Sequence, residues 1–157
     1  MTQNLQQPTL NARECNCQLK NQCLMQQKCL TKFVVYQATV ATPSVGKHET
    51  YIGITENLFK KRFANHKATF SSRSKRTASE LSNYIWDLID RAEKCYTTWR
   101  TIKQAPSFNS NYHRCNLCSW KSYCIIFQSE IANLNQCSQL IASCRHERKH
   151  TLAYCKV

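Results

Sequence analysis

Phe33-Val34-Val35-Tyr36-Gln37-Ala38-Thr39-Val40 and, further on, Thr50-Tyr51-Ile52-Gly53-Ile54 are the stretches that decide the fold. Both are β-branched and aromatic, with Pro43, Ser44 and Gly46 between them, so they read as antiparallel strands of one hairpin. Beyond Thr55-Glu56-Asn57, the residues Leu58, Phe59, Phe63 and Phe70 recur at spacings that line one face of a helix. That periodicity puts Arg62 and His66 on a common side of it.

A loop carrying Arg73, Lys75 and Arg76 leads to Thr77-Ala78-Ser79-Glu80, a capping-box pattern headed by Thr77. Leu81, Tyr84, Ile85, Leu88 and Ile89 then predict a second helix. Tyr96 to Ile102 alternates as a third strand, Pro106 to Ser110 form a loop, and residues 117–131 suit a third helix. Asn133 to Asn135 break it, and residues 136–142 suit a short returning helix. The expected class is α+β, a small three-stranded antiparallel sheet flanked by helices and preceded by a cysteine-rich segment.

The length of 157 residues fits one domain with an N-terminal extension. Residues 1–14 are rich in Gln and Asn without periodicity and read as a disordered tail; residues 15–32 form the cysteine-rich segment; residues 33–157 form the main domain. Twenty-two Lys and Arg against nine Asp and Glu give a formal charge of +13. That excess draws polyanions, and composition alone leaves a nucleic-acid partner and a merely solvated basic surface equally open. Between Asn57 and Ser79 there is no acidic residue, while Lys60, Lys61, Arg62, Lys67, Arg73, Lys75 and Arg76 cluster there, a pattern that suits a phosphate backbone.

Eleven cysteines cannot all pair within one chain. The first residues lack the basic start and apolar core of a secretion signal, and no apolar run is long enough for a bilayer. The expected setting is therefore intracellular and reducing, where grouped cysteines favour zinc over disulfides. Two ligand sets stand out: Cys15, Cys17, Cys23 and Cys29 as C-x-C-x5-C-x5-C, and Cys115-x2-Cys118 with Cys144-x-His146. For Cys95, Cys124, Cys137 and Cys155, burial is the default expectation.

The ordered set Cys15-Asn16-Cys17, Val34-Val35-Tyr36, Tyr51-Ile52-Gly53, Phe59-Lys60-Lys61-Arg62-Phe63-Ala64-Asn65-His66, Glu80-Leu81-Ser82-Asn83-Tyr84-Ile85-Trp86, Cys115-Asn116-Leu117-Cys118, Leu134-Asn135 and Cys144-Arg145-His146 resembles the GIY-YIG endonuclease family. Its nearest likeness is to the endonuclease modules of Penelope-like retroelements, and it runs from about Cys15 to Cys155. The resemblance implies a DNA endonuclease that hydrolyses a phosphodiester with Mg²⁺ in a nuclear setting. It sets Tyr36 and Tyr51 at the paired tyrosine positions, Arg62 at the arginine that neutralises the scissile phosphate, and His66 at a further active-site position. Read without it, the tyrosines could simply pack in strands, and Arg62 and His66 could be the solvated stripe of a helix.

At one position the chain departs from the resembled pattern. The family's Mg²⁺-binding Glu follows the Leu-Cys pair, yet here Leu117-Cys118 is followed by Ser119-Trp120-Lys121-Ser122. An ammonium repels Mg²⁺, which seeks hard anionic oxygen. The expectation is a nucleic-acid binder impaired in cleavage, with Lys121 as a phosphate contact. An active enzyme using another acid, with Glu80 the first candidate, and a zinc-stabilised interaction protein are the alternatives.

Overall fold

The computed structural model describes residues 14–107 and 115–135. Three strands, β1 (Val34–Thr42), β2 (Lys47–Thr55) and β3 (Tyr96–Gln104), and three helices, α1 (Phe59–Phe70), α2 (Glu80–Asp90) and α3 (Asn116–Phe127), follow in the order β1-β2-α1-α2-β3-α3. The sheet is antiparallel with the order β2-β1-β3, so the first apolar run of the sequence is the central strand. The α+β class with a small three-stranded sheet is as expected, and both hairpin strands extend beyond the expected bounds to meet at Pro43–Gly46.

A central strand covered on both faces has no solvent side to alternate with, which is why Val34, Val35 and Tyr36 follow one another as apolar residues. On one face Val34, Tyr36, Ala38, Val40, Tyr51 and Trp99 pack against Phe59 of α1 and Leu81, Ile85 and Leu88 of α2. On the other, Val35 and Ile52 meet Leu117, Cys124 and Ile125 of α3. Val35 pairs with Lys103 of β3 but Tyr36 pairs with Thr101, leaving Ile102 as the extra residue of a bulge beside Tyr36.

Three local expectations change. Ser79, not Thr77, caps α2: its Oγ accepts the Ser82 amide at 3.1 Å, so Glu80 opens the helix instead of closing a capping box. The expected loop at Arg73 is a 3-10 helix, Arg73–Ala78. The third helix stops at Phe127, with a separate 3-10 turn at Ser129–Ile131. Residues 136–142, expected to return as a helix, lie outside the described residues.

The Asn133–Asn135 break has a structural task. Asn135 Oδ1 accepts the Ile52 amide at 2.7 Å and its Nδ2 donates to the Ile52 carbonyl at 2.9 Å. Asn133 Oδ1 accepts the Thr50 amide at 2.5 Å, and the Leu134 amide donates to the Thr50 carbonyl at 2.9 Å. The backbone groups of β2 that would otherwise form an open sheet edge are thereby satisfied.

α1 begins without a side-chain cap, its N-cap residue being Leu58. Its leading amides are taken instead by the cysteine-rich segment: Phe59 N donates to the Thr31 carbonyl and Lys60 N to the Cys29 carbonyl, each at 2.9 Å. Glu14, assigned to the tail by composition, is tied to this segment by its carbonyl, which accepts the Leu30 amide at 2.8 Å. Among the described residues no helix is long and apolar enough to cross a membrane.

Gly53 faces Tyr36 across the hairpin, and a Cβ placed on it would stand 2.2 Å from Tyr36 Oη and 2.3 Å from Cζ. The phenol ring fills the space a side chain would need. Phe59 and Trp99 hold that ring with centroids 5.2 and 5.8 Å away, so it has no room to yield. Gly53→Ala is expected to lower stability by about 1–3 kcal/mol, read from chemical denaturation, as for other overpacked cores; an unchanged midpoint would refute this close fit.

Candidate functional site

The site is assembled by the hairpin and α1. β1 supplies Tyr36, β2 supplies Tyr51, and one turn of α1 separates Arg62 from His66, so both helical side chains meet the tyrosines across the same sheet face. Tyr36 Oη lies 2.7 Å from His66 Nε2, and Arg62 Nε donates to it at 2.9 Å. The Arg62 charge also acts on the Tyr51 hydroxyl, opposing the effect of burial there. All four residues expected to be catalytic are therefore together.

Their burial separates their roles. Tyr36 is 0 % exposed, His66 3 % and Tyr51 5 %, whereas Arg62 is half-buried. Burial drives the His66 imidazolium pKa down to about 3, with the Arg62 charge adding to the effect, so the ring is neutral near pH 7. Burial also raises both tyrosines, which stay protonated. The Tyr36 oxygen accepts from Arg62 and shares a second hydrogen bond with Nε2 of the neutral imidazole, whose direction follows the ring tautomer. Tyr36 is thus enclosed behind Arg62, where it orients the guanidinium and presents no hydroxyl to a bulky phosphodiester.

Lys121 is half-buried on α3, its ammonium pKa lowered first by burial and also by the nearby Arg62 charge. Two cations within electrostatic range, both partly withdrawn from water, make a site that an anion would stabilise. Glu80 stands close enough for its carboxylate to raise Tyr51 further. One carboxylate near Tyr51, with the Arg62 charge acting on the same hydroxyl, falls short of the oxygen-rich donor set Mg²⁺ needs.

The other expected basic contacts divide. Arg73 and Arg76 are engaged by α2: Arg73 Nη1 lies 2.9 Å from Asp90 Oδ1, Arg76 Nη1 lies 2.7 Å from Asp90 Oδ2, and Arg76 also pairs with Asp87. These carboxylates already balance much of the charge of both arginines. The signal was in the sequence, since Asp87 and Asp90 share one face of α2. Lys60 donates to Asn16 Oδ1 at 3.3 Å, and Lys67 lies 5.8 Å above the Phe63 ring. Lys61 and Lys75 are exposed.

The Sγ atoms of Cys15, Cys17, Cys23 and Cys29 all lie within 4.8 Å of one another, an arrangement compatible with a structural metal site. The Cys17 backbone amide bonds Cys15 Sγ and brings that thiol down to about 7, while the neighbouring Cys15 sulfur pushes Cys17 up to about 12. Crowded thiols resist ionising together unless a cation joins them. Cys115 is the buried N-cap of α3 and Cys118 is half-buried; Cys144 and His146, their expected partners, lie outside the described residues.

Comparison with protein-family models, with curated proteins and with solved structures finds no match to the chain.

The neutral His66 has a measurable consequence. Its folded pKa of about 3 lies below the ordinary 6.5, so the unfolded chain takes up the proton first. This contribution to stability is fully present above about pH 6.5 and is lost as pH falls toward 3, reaching a loss of about 2 kcal/mol at pH 5. Thermal denaturation between pH 7 and 5 is expected to show that fall, and His66→Gln to flatten it; parallel profiles would rule out a buried neutral imidazole.

Proposed function

We propose that the chain is a nucleic-acid-binding domain of GIY-YIG build, related to retroelement DNA endonucleases, that grips DNA phosphate but is impaired in cutting it. The observation that carries this reading is the Arg62 guanidinium, aimed by the Tyr36 hydroxyl at 2.9 Å, with Lys121 within electrostatic range where the resembled enzymes hold an acid. Arg62 and Lys121 bind the phosphate, Tyr36 and Tyr51 orient Arg62, and neutral His66 holds the Tyr36 hydroxyl by a hydrogen bond. Lys61, exposed on α1 just before Arg62, extends the grip along the backbone.

Duplex DNA is expected to be retained with a logarithmic salt slope of about −0.9 for each phosphate neutralised. Arg62→Ala should lower affinity about tenfold, the scale of one lost charge-assisted contact. In plasmid nicking, the unaltered chain should leave supercoiled DNA intact with Mg²⁺, while Lys121→Glu should weaken binding and introduce Mg²⁺-dependent nicks. A second reading, active hydrolysis with Glu80 seating the metal, is favoured by the proximity of Glu80 to Tyr51. Nicking by the unaltered chain that Glu80→Gln abolishes would replace the first reading with the second.

The cysteine cluster is a structural zinc knuckle in this proposal. Sulfur–sulfur separations of 3.5 Å between Cys15 and Cys29 and 3.9 Å between Cys17 and Cys29 bracket the tetrahedral edge. Four Zn–S bonds of 2.3 Å imply an edge of roughly 3.8 Å. Because Cys29 and Thr31 carbonyls hold the first amides of α1, removing the metal frees the helix that carries Arg62. Elemental analysis should find at least one zinc per chain, and chelation should lower the melting temperature and DNA retention together; retention unaffected by chelation would separate the knuckle from the site.

A further inference from the structure

The outer face of α3 carries aromatic rings that neither the core nor the phosphate site uses. Trp120 is 38 % exposed, Tyr123 44 % and Phe127 70 %. They form a continuous stripe, with ring centroids 5.7 Å apart from Trp120 to Tyr123 and 5.3 Å from Tyr123 to Phe127. Lys103 of β3 sets its ammonium 5.1 Å from the Trp120 centroid, and Arg100 of the same strand is exposed. From Glu93 to Glu130 the sequence has no intervening Asp or Glu, while it includes Lys94, Arg100, Lys103, Arg114 and Lys121.

Burying three large rings would stabilise α3, so leaving them in water is a standing cost unless they meet something. A second copy of this face would bring Lys103 and Arg100 against their own kind, which disfavours self-association. Rings beside cations, on a stretch with no acid between Glu93 and Glu130, suit a partner that is flat and apolar in part and anionic in part. Unpaired nucleotides have that character: a base stacks on the ring while its phosphate meets the cation. From Trp120 to Phe127 the stripe rises about 10 Å, enough for about three stacked bases. Lys121, the next residue after Trp120, turns to the inner flank of the helix within electrostatic range of Arg62, so the stripe begins beside the phosphate site.

We infer that Trp120, Tyr123 and Phe127 form a stacking platform for unpaired nucleic-acid bases, fed by the phosphate grip of Arg62 and Lys121. This rests on the proposed phosphate-binding reading and adds a single-strand arm to it. The chain therefore holds a frayed or displaced strand in preference to a blunt duplex.

The full chain is titrated with a labelled oligothymidylate of about 12 nucleotides, an abasic strand of the same length, an oligouridylate and a blunt duplex. The base-bearing strands are expected to bind about tenfold more tightly than the abasic one and to quench tryptophan fluorescence. Trp120→Leu should remove most of that advantage and leave duplex and abasic binding unchanged, and Trp120→Phe should restore it, because a ring and not mere apolarity is required. Circular dichroism of both variants controls for folding of α3. Equal affinity for abasic and base-bearing strands overturns the platform while sparing the phosphate grip. Failure of every probe, or indifference to Arg62→Ala, overturns both. Loss of a dimer on Trp120→Leu, by sedimentation, with single-strand binding intact, assigns the stripe to self-association instead.

Discussion

A single buried hydroxyl organises this molecule. Tyr36 Oη receives the Arg62 guanidinium, faces the His66 imidazole and lies over Gly53, and each relation constrains the others. The hairpin must keep its register so that Gly53 stands opposite Tyr36; a one-residue slip would put a side chain into the ring. α1 must keep its rotation so that Arg62 and His66 reach the same oxygen. Breaking one bond would leave a buried polar atom without its partner, a penalty greater than the worth of the bond itself. The pair of neutral partners leaves the Arg62 charge unbalanced by them, and that charge acts on Lys121.

The position of α1 is set in part by the cysteine-rich segment, whose Cys15, Cys23 and Cys29 join the same core as Tyr36 and Phe59. Its first amides are accepted by carbonyls of the cysteine-rich segment, and it has no acidic residue in its first turn to offset the helix dipole. The unfavourable charge pattern of Lys60, Lys61 and Arg62 at a helix N-terminus is tolerated because those carbonyls and the Asn16 side chain face it. Core packing also contributes, since Phe59 is fully buried beside Tyr36. The cysteine-rich segment and the sheet both hold this one helix.

Strands and the first two helices were legible because their signals are local: β-branched runs, a proline and glycine turn, and an apolar 3.6-residue repeat. The meeting of Tyr36, Tyr51, Arg62 and His66 was anticipated through the family likeness; periodicity alone placed only Arg62 beside His66. What escaped was non-local or electrostatic. The pairing of Arg73 and Arg76 with Asp87 and Asp90 depends on how the Arg73–Ala78 turn folds against α2. The pattern pointed to Thr77 as the cap, whereas Ser79, extended at φ −162° and ψ 159°, takes that place. The enclosure of Tyr36 was hidden as well, because burial depends on what covers a strand and not on the strand.

The asparagine clamp on β2 has a practical corollary for dissecting the chain. Asn133 and Asn135 reach back across more than eighty positions to occupy the groups that a neighbouring molecule would otherwise pair with. A fragment trimmed ahead of Asn133 would keep every residue of the Arg62 site yet bare the flank of the strand that carries Tyr51. Such a piece would be prone to stack strand against strand into insoluble assemblies, so the smallest tractable unit extends past Asn135.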